Sequence, residues 1–193
     1  GQIYARNNDH QQAIPYLENA TTTSRFSNST SVYLLLSQSY QVSSQFEKQS
    51  HLLLATSKNE TFSQNDRTEF FKKWVQLNFQ NQKWKSLLQE IQMFALELTQ
   101  EEQDYFLYVQ GSSAVQTKQW KLARAKLEKL IEVESYQVSL FPLLMITYQN
   151  LKRWNSLVKW MKKHHLQPQI KYSSQEYEVW AFATFRLRNW KAL

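Results

Sequence analysis

Residues 117–127, TKQWKLARAKL, decide the fold, because they place a polar turn, an aromatic residue and then Leu and Ala at helical spacing. Ala123 and Leu127 are four residues apart and therefore share one face of a helix. Basic side chains, Lys121 and Arg124 among them, alternate with these apolar positions. The alternation predicts an amphipathic helix that begins at Trp120.

The same arrangement recurs along the chain, each time with an aromatic residue after a polar or basic turn. Trp84, Trp120, Trp154 and Trp190 are separated by 36, 34 and 36 residues, and Phe46 lies 38 residues before Trp84. A regular spacing near 34 residues indicates an internal repeat with one helix-turn-helix in each unit.

The repeat resembles the tetratricopeptide family, whose units of about 34 residues contain two antiparallel helices. In that family an aromatic residue opens the second helix, and Ala, a large apolar residue and Ala follow on its buried face. Leu87, Ala114 and Leu157 depart from the family pattern, so the repeats are degenerate. The residues that carry the resemblance are Gly1, Tyr4, Ala13, Leu17, Ala20, Gly111, Trp120, Ala123, Leu127, Leu144, Tyr148 and Trp154.

The resemblance implies an all-α fold, a right-handed α-solenoid of antiparallel helix pairs that forms a single array over residues 1–193. Gly1 falls late in a first helix, and Leu193 falls just after the aromatic residue of a sixth pair. The first and last pairs are therefore incomplete, and we expect the chain to be a fragment of a longer array. The helix pairs are expected at about 1–24, 28–58, 64–97, 100–134, 138–166 and 173–193.

The register of the repeat also predicts which side chains form the core between helices. They are the aromatic residues of the turns and the apolar or small residues that follow them. The expected repeat core is Tyr4, Ala13, Leu17, Tyr40, Phe46, Trp84, Trp120, Ala123, Leu127, Tyr148, Trp154 and Trp190.

The composition favours an all-helical chain without a catalytic centre. The chain has 2 Gly and 3 Pro, fewer than the turns of a sheet fold would need, and no Cys to act as a nucleophile or thiolate ligand. His164 and His165 are adjacent, so on a helix they point about 100° apart and do not form a metal-binding pair. No stretch reaches the roughly 18 apolar residues of a membrane span. We predict no enzyme activity, cofactor, metal or membrane span; an enzyme whose catalytic domain lies outside the fragment is a third possibility.

First helices line the concave surface of tetratricopeptide arrays, and the resemblance therefore assigns a partner-binding groove to them. Amide side chains hydrogen-bond to a peptide backbone, and Tyr supplies contact area at low entropic cost, so such a groove suits an extended peptide. The alternative is that these amides are solvated helix faces. The positions that would form a carboxylate clamp hold other residues, so binding of a partner's carboxylate by such a clamp is disfavoured. The residues at those positions are Gln2, Leu34, Gln38, Tyr108, Ser112 and Ile146. The candidate groove residues are Gln38, Gln41, Lys72, Gln76, Tyr105, Tyr108, Ser112, Gln116, Gln149, Asn150, Glu178 and Arg186.

Charge is distributed unevenly along the chain. Residues 118–193 carry 14 Lys/Arg and 5 Asp/Glu, a net charge of +9, whereas residues 1–117 carry 9 and 11, a net charge of −2. Such a field can steer an acidic partner, an anionic membrane surface or nucleic acid. The alternative is that these basic side chains lie on solvated outer helices and keep the chain soluble. Basic and aromatic residues mostly do not share a face here, which disfavours nucleic acid.

These observations predict a non-catalytic protein–protein interaction scaffold that binds a peptide or a partner subunit in its concave groove. The use of Gln, Asn, Ser and Lys, the lack of Cys and the degenerate repeats look bacterial, and they favour the periplasm or envelope over the cytoplasm, as in an accessory of a bacterial envelope complex. The alternative is a nucleic-acid-binding helical repeat that uses the basic C-terminal half.

Overall fold

The computed structural model describes residues 1–94, 97–164 and 174–187, and all regular secondary structure within them is helical. The chain divides into two compact units. The first is built on Gly1–Lys83, and the second on Trp84–Phe94 and the residues from Leu98 onward. Within each unit, every helix packs against the next one along the chain. The prediction of an all-α fold made of consecutive helix pairs is confirmed.

The first unit contains five helices and a core of apolar side chains between them. Leu17 and Leu36 are almost fully buried where the second and third helices meet, and Trp74 is 2% exposed between the fourth and fifth. The helices are α1 Gln2–Arg6, α2 His10–Thr22, α3 Thr30–Val42, α4 Phe46–Lys58 and α5 Gln64–Gln80.

The second unit continues the pattern around one cluster of buried residues that includes Leu127, Leu144 and Met161. The last turn of its third helix tightens into a 3-10 turn at Glu128–Leu130, as helix ends often do, and a second 3-10 turn lies at Glu134–Tyr136. The α-helices are α6 Trp84–Met93, α7 Gln100–Gln116, α8 Trp120–Leu127, α9 Gln137–Asn150, α10 Trp154–His164 and α11 Ser174–Arg186.

Two helix ends differ from the sequence expectation. For the expected pair 64–97, the predicted end of the second helix is four residues too far along the chain, because α6 ends at Met93. The expected pair 100–134 likewise overruns α8, which ends at Leu127 before the 3-10 turn. Apolar residues such as Val133 continue past the helix, so their pattern did not mark where the helix ends.

The same corner joins the two helices in the five pairs whose corners lie within the described residues. One residue adopts the left-handed conformation, with φ between 54° and 60°, and none of these residues is a glycine. At each corner, the amide of the next residue returns to a carbonyl in the last turn of the first helix, as Gln119 N donates to Ala114 O at 2.8 Å. The left-handed residues are Asn8, Ser44, Gln82, Lys118 and Lys152, spaced 34 to 38 apart. The repeat is therefore present in the backbone as well as in the aromatic residues.

Side-chain caps fix the starts of α2, α5 and α7, whereas the starts of α3, α4, α8 and α9 have no such hydrogen bond. Thr99 accepts from the amide of Glu102 at 3.3 Å, and the Glu102 carboxylate accepts from the amide of Thr99 at 3.0 Å, which completes a capping box. Asp9 caps α2, and Ser63 caps α5 by accepting from the amide of Asp66.

Gly111 lets two helices of the second unit approach closely. A Cβ atom at this position would lie 2.3 Å from Cδ2 and 2.6 Å from Cγ of Leu127, a side chain that is fully buried on α8. The neighbours Ser112, Ser113 and Ala114 are also small and buried. This run of small residues allows α8 to pack directly on the backbone of α7.

A Tyr–Glu hydrogen bond links successive helix pairs in both units. Tyr40 on α3 donates to Glu18 on α2 at 2.6 Å, and Tyr148 on α9 donates to Glu128 at the end of α8 at 2.9 Å. Burial and this hydrogen bond raise the pKa of each tyrosine. The hydrogen bond from Tyr40, with help from Lys48 and against the effect of burial, lowers the pKa of the Glu18 carboxyl.

The expected repeat core divides into buried and half-buried residues. Ala13, Leu17, Tyr40, Ala123, Leu127 and Tyr148 are buried. The aromatic residues that open the second helices, namely Phe46, Trp84, Trp120 and Trp154, are only half buried. Each lies beside a turn and is only partly covered by its neighbours; at Phe46 the Lys83 ammonium lies 5.0 Å from the ring centroid. Tyr4 is 40% exposed and stacks on Tyr16, contrary to expectation, and Trp190 lies outside the described residues.

Candidate functional site

A pocket of about 420 Å³ lies in the first unit, where α3 and α5 flank α4. We call it the amide pocket, because five of its lining residues are glutamines. Among the residues that line it there is one cation and no carboxylate. The lining residues are Leu34, Ser37, Gln38, Gln41, Gln49, Leu53, Lys73, Gln76, Leu77 and Gln80.

Helical spacing places the glutamines on facing walls. Gln38 and Gln41 are three residues apart on α3, and Gln76 and Gln80 are four apart on α5, so each pair shares one side of its helix. All four side chains are exposed, and none makes a hydrogen bond to the described part of the chain. Each amide therefore keeps a donor and an acceptor for a ligand.

The floor of the amide pocket is tightly packed. Leu53 on α4 is 1% exposed. Gln49, one turn earlier on the same helix, is 6% exposed and donates to the hydroxyl of Ser37 at 3.4 Å. Because a buried amide is costly without partners, this bond holds the Gln49 side chain between α3 and α4. Leu34 and Leu77 add half-buried apolar surface to the walls.

Lys73 supplies the positive charge of the amide pocket. Its ammonium lies 3.9 Å from the Glu69 carboxylate, and both side chains are close to half exposed, so this ion pair is weak. The charge is thus available to an acidic group that enters the pocket.

Three of the predicted groove residues, Gln38, Gln41 and Gln76, are brought together in the amide pocket. The predicted Lys72 is not among its lining residues; it pairs with Glu69 at 3.2 Å on the flank of α5. Lys72 and Lys73 are both within one turn of Gln76, so the packing of α5 against its neighbours, and not helical spacing, decides which lysine lines the pocket.

The groove residues predicted in the second unit lie on α7, α9 and α11. Tyr108 packs against Tyr136 with ring centroids 5.3 Å apart, and burial, with a smaller effect of Tyr136, raises the pKa of Tyr105. Ser112 is 5% exposed, so it is covered by the fold in this conformation. Gln116, Gln149, Glu178, Asn150 and Arg186 are exposed. Of these, Asn150 donates to the carbonyl of Ile146 at 2.8 Å, and Arg186 lies 5.1 Å from the Phe182 ring centroid.

Sequence reasoning missed Gln49, Lys73 and Gln80. Gln49 belongs to a second helix, which the family resemblance assigns to the outer wall. The i, i+4 spacing of Gln76 and Gln80 on one face was visible in the sequence and could have identified Gln80. The aromatic series also extends one step further back, because His10 opens α2 at 36 residues before Phe46 and is buried against Ser39, with 3.1 Å between Nδ1 and the hydroxyl oxygen.

The described residues contain no cluster of three or more His, Asp or Glu side chains that could hold a metal ion. Within the same part of the chain, no helix is both long and apolar enough to cross a membrane. The free amides, apolar walls and single cation of the amide pocket are groups that bind a ligand by hydrogen bonds and contact. Compared with known proteins, the sequence matches no protein-family model and no curated protein.

Proposed function

We propose that this chain is a non-catalytic protein-binding module of the tetratricopeptide type that holds an extended peptide segment in the amide pocket. The observation that carries the proposal is the convergence of four unpaired glutamine side chains from α3 and α5 on one pocket. The repeated left-handed corner supports the tetratricopeptide assignment, because it recurs at the period of that family.

The pocket offers what an extended peptide requires. A peptide backbone presents one donor and one acceptor at each residue, and a primary amide can satisfy both. Gln38 and Gln41 on one wall and Gln76 and Gln80 on the other can therefore bond to a backbone between them. The apolar walls receive one side chain of the peptide, and Lys73 favours an acidic residue next to it.

The wider organisation follows as part of the same proposal. The helix pairs form a right-handed α-solenoid, and the module serves as an accessory of a bacterial envelope complex. Its support is the regular period and the Gln-, Asn- and Ser-rich composition. Trp120 and Trp154 pack against the core of the second unit, which leaves less of their ring faces for stacking on nucleic-acid bases.

Peptides selected from a random phage-displayed library against the whole chain provide the ligands for a test. Isothermal titration calorimetry then compares the chain with the variant Gln38→Ala/Gln76→Ala. We expect the double variant to bind about tenfold more weakly, because it loses one hydrogen-bonding side chain from each wall. The matched control is Gln11→Ala, an exposed glutamine on α2 outside the pocket, which should bind as tightly as the parent.

Two results would contradict the proposal. One is a selection that yields no binding peptide. The other is a set of peptides whose affinity is the same for the double variant and the parent, since their site would then lie elsewhere on the chain.

A further inference from the structure

A second pocket, of about 320 Å³, lies in the second unit between α6 and α8, above α7. We call it the lysine pocket, because two lysines form one side of it. Its lining residues are Ile91, Gln92, Leu98, Gln103, Phe106, Leu107, Gln110, Lys126 and Lys129. It shares no residue with the amide pocket, and its walls include two second helices rather than two first helices.

The floor of the lysine pocket is apolar and firmly built. Ile91 is 7% exposed and Phe106 is 4% exposed. Gln110 is 7% exposed and adds one amide to this surface. At the rim, Gln103 donates to the carbonyl of Leu98 at 2.9 Å, which fixes the segment that enters α7. Leu98 and Leu107, which are only half buried, supply the accessible apolar surface above this floor.

The charge of this pocket is uncompensated within the described residues. Lys126 and Lys129 are three residues apart, on α8 and in the 3-10 turn that follows it, and neither forms an ion pair with the described part of the chain. Burial, and then repulsion from Lys129, lower the pKa of Lys126. The neighbouring cation on α8, Arg124, differs, since it lies 3.7 Å from the carboxylate of Glu128.

Two ammonium groups beside a buried apolar floor are an unfavourable arrangement when the pocket holds only water. An anion shared by both groups would relieve their repulsion, and an apolar body attached to that anion would cover the half-buried side chains of Leu98 and Leu107 above the floor. We propose that the lysine pocket binds a small organic acid, namely one carboxylate joined to a short apolar body, with Lys126 and Lys129 on the carboxylate.

The size of the pocket favours this class of ligand. Its volume is at the lower limit of small-molecule sites, which extend from about 300 to 1,000 Å³. The two oxygens of one carboxylate can each accept from one lysine, and the exposed Gln92 and Gln103 at the edge can hydrogen-bond to the same group. The proposed site is independent of the peptide-binding function, because it is built from other residues in the other unit.

The test uses 3-phenylpropionate, its neutral amide 3-phenylpropanamide, and acetate, each titrated into the whole chain and followed by calorimetry and by amide chemical shifts. We expect the acid to bind about tenfold more tightly than the neutral amide, because only the acid accepts charge-assisted bonds. Acetate, which has no apolar body, should bind at least as weakly as the neutral amide.

Three variants locate the effect. Lys126→Gln and Lys129→Gln should each remove most of the preference for the acid over the amide. Lys121→Gln removes the same charge from an exposed position on α8 outside the pocket and should leave the preference unchanged. Thermal unfolding of each variant confirms that it remains folded.

Any of three outcomes would overturn the inference. The acid and the neutral amide could bind equally. Acetate could bind as tightly as 3-phenylpropionate, which would show that the apolar surface is not used. Lys121→Gln could weaken the acid as much as Lys126→Gln, which would assign the effect to the general positive field of residues 118–193.

Discussion

Because α7 and α8 approach closely at Gly111, we expect Gly111→Ala to change the free energy of unfolding with a sign that depends on the side chain at position 127. In the parent, Gly111→Ala places a methyl group 2.3 Å from Leu127 Cδ2, within a fully buried contact. Overpacking of this kind costs about 1–3 kcal/mol, whereas the better helix propensity of Ala offsets about 1 kcal/mol. We expect a net loss of up to about 2 kcal/mol in the free energy of unfolding.

The same change should become stabilising once the neighbour is truncated. Leu127→Ala alone should cost about 2–5 kcal/mol, because it removes a fully buried side chain. It also removes both atoms that the Gly111→Ala methyl group would meet. In that background only the helix propensity is left, and Gly111→Ala should raise the free energy of unfolding by about 1 kcal/mol.

Urea denaturation followed by tryptophan fluorescence measures all four members of this cycle. Ala125→Gly, at an exposed position on α8, calibrates the propensity difference and should cost about 1 kcal/mol. The reasoning is refuted if Gly111→Ala costs the same free energy with Leu127 and with Ala at position 127, since the two residues would then not be in contact.

Three further predictions concern the corners and the aromatic residues. Lys118→Gly should stabilise the chain by about 0.5–1 kcal/mol in thermal or urea unfolding, because glycine adopts the left-handed conformation without a Cβ penalty; a loss would contradict the corner geometry. Trp120→Ala should cost roughly 2 kcal/mol rather than the 3–5 kcal/mol of a fully buried ring, since the side chain is only partly buried; urea denaturation distinguishes the two. Tyr40→Phe should cost about 1 kcal/mol at pH 7. Glu18 has a lowered pKa in the folded state, so its contribution is present above its ordinary value of 4.5 and is lost as the pH falls through the folded value. The difference between Tyr40→Phe and the parent should therefore shrink in acid, and a pH-independent difference would contradict this assignment.

Most of the helical architecture could be predicted because it depends on local signals. The aromatic series and the alternation of apolar positions located most helix pairs to within a few residues. These signals act over one or two turns of helix, so a sequence pattern records them directly.

The depth of burial and the pockets could not be predicted in the same way. The tryptophans were expected in the core, but a residue at the first position of a helix lies beside the turn, and burial there depends on the neighbouring helix. The choice of Lys73 over Lys72 depends on the rotation of α5 relative to α3, which no local pattern encodes. The same holds for Gln49, whose role follows from the packing of α4.

The five left-handed corners also indicate which substitutions this sequence can accept during evolution. Their positions hold Asn, Ser, Gln and two Lys, so chemical identity is not retained there. Such a backbone excludes Pro, whose ring fixes φ near −65°, and strongly disfavours branching at Cβ, and none of the five is Pro, Val, Ile or Thr. Selection at these sites would act as a filter against a few residue types rather than for one. A chain under such a filter can lose recognisable identity between its own units, and with other proteins, while every corner keeps its geometry.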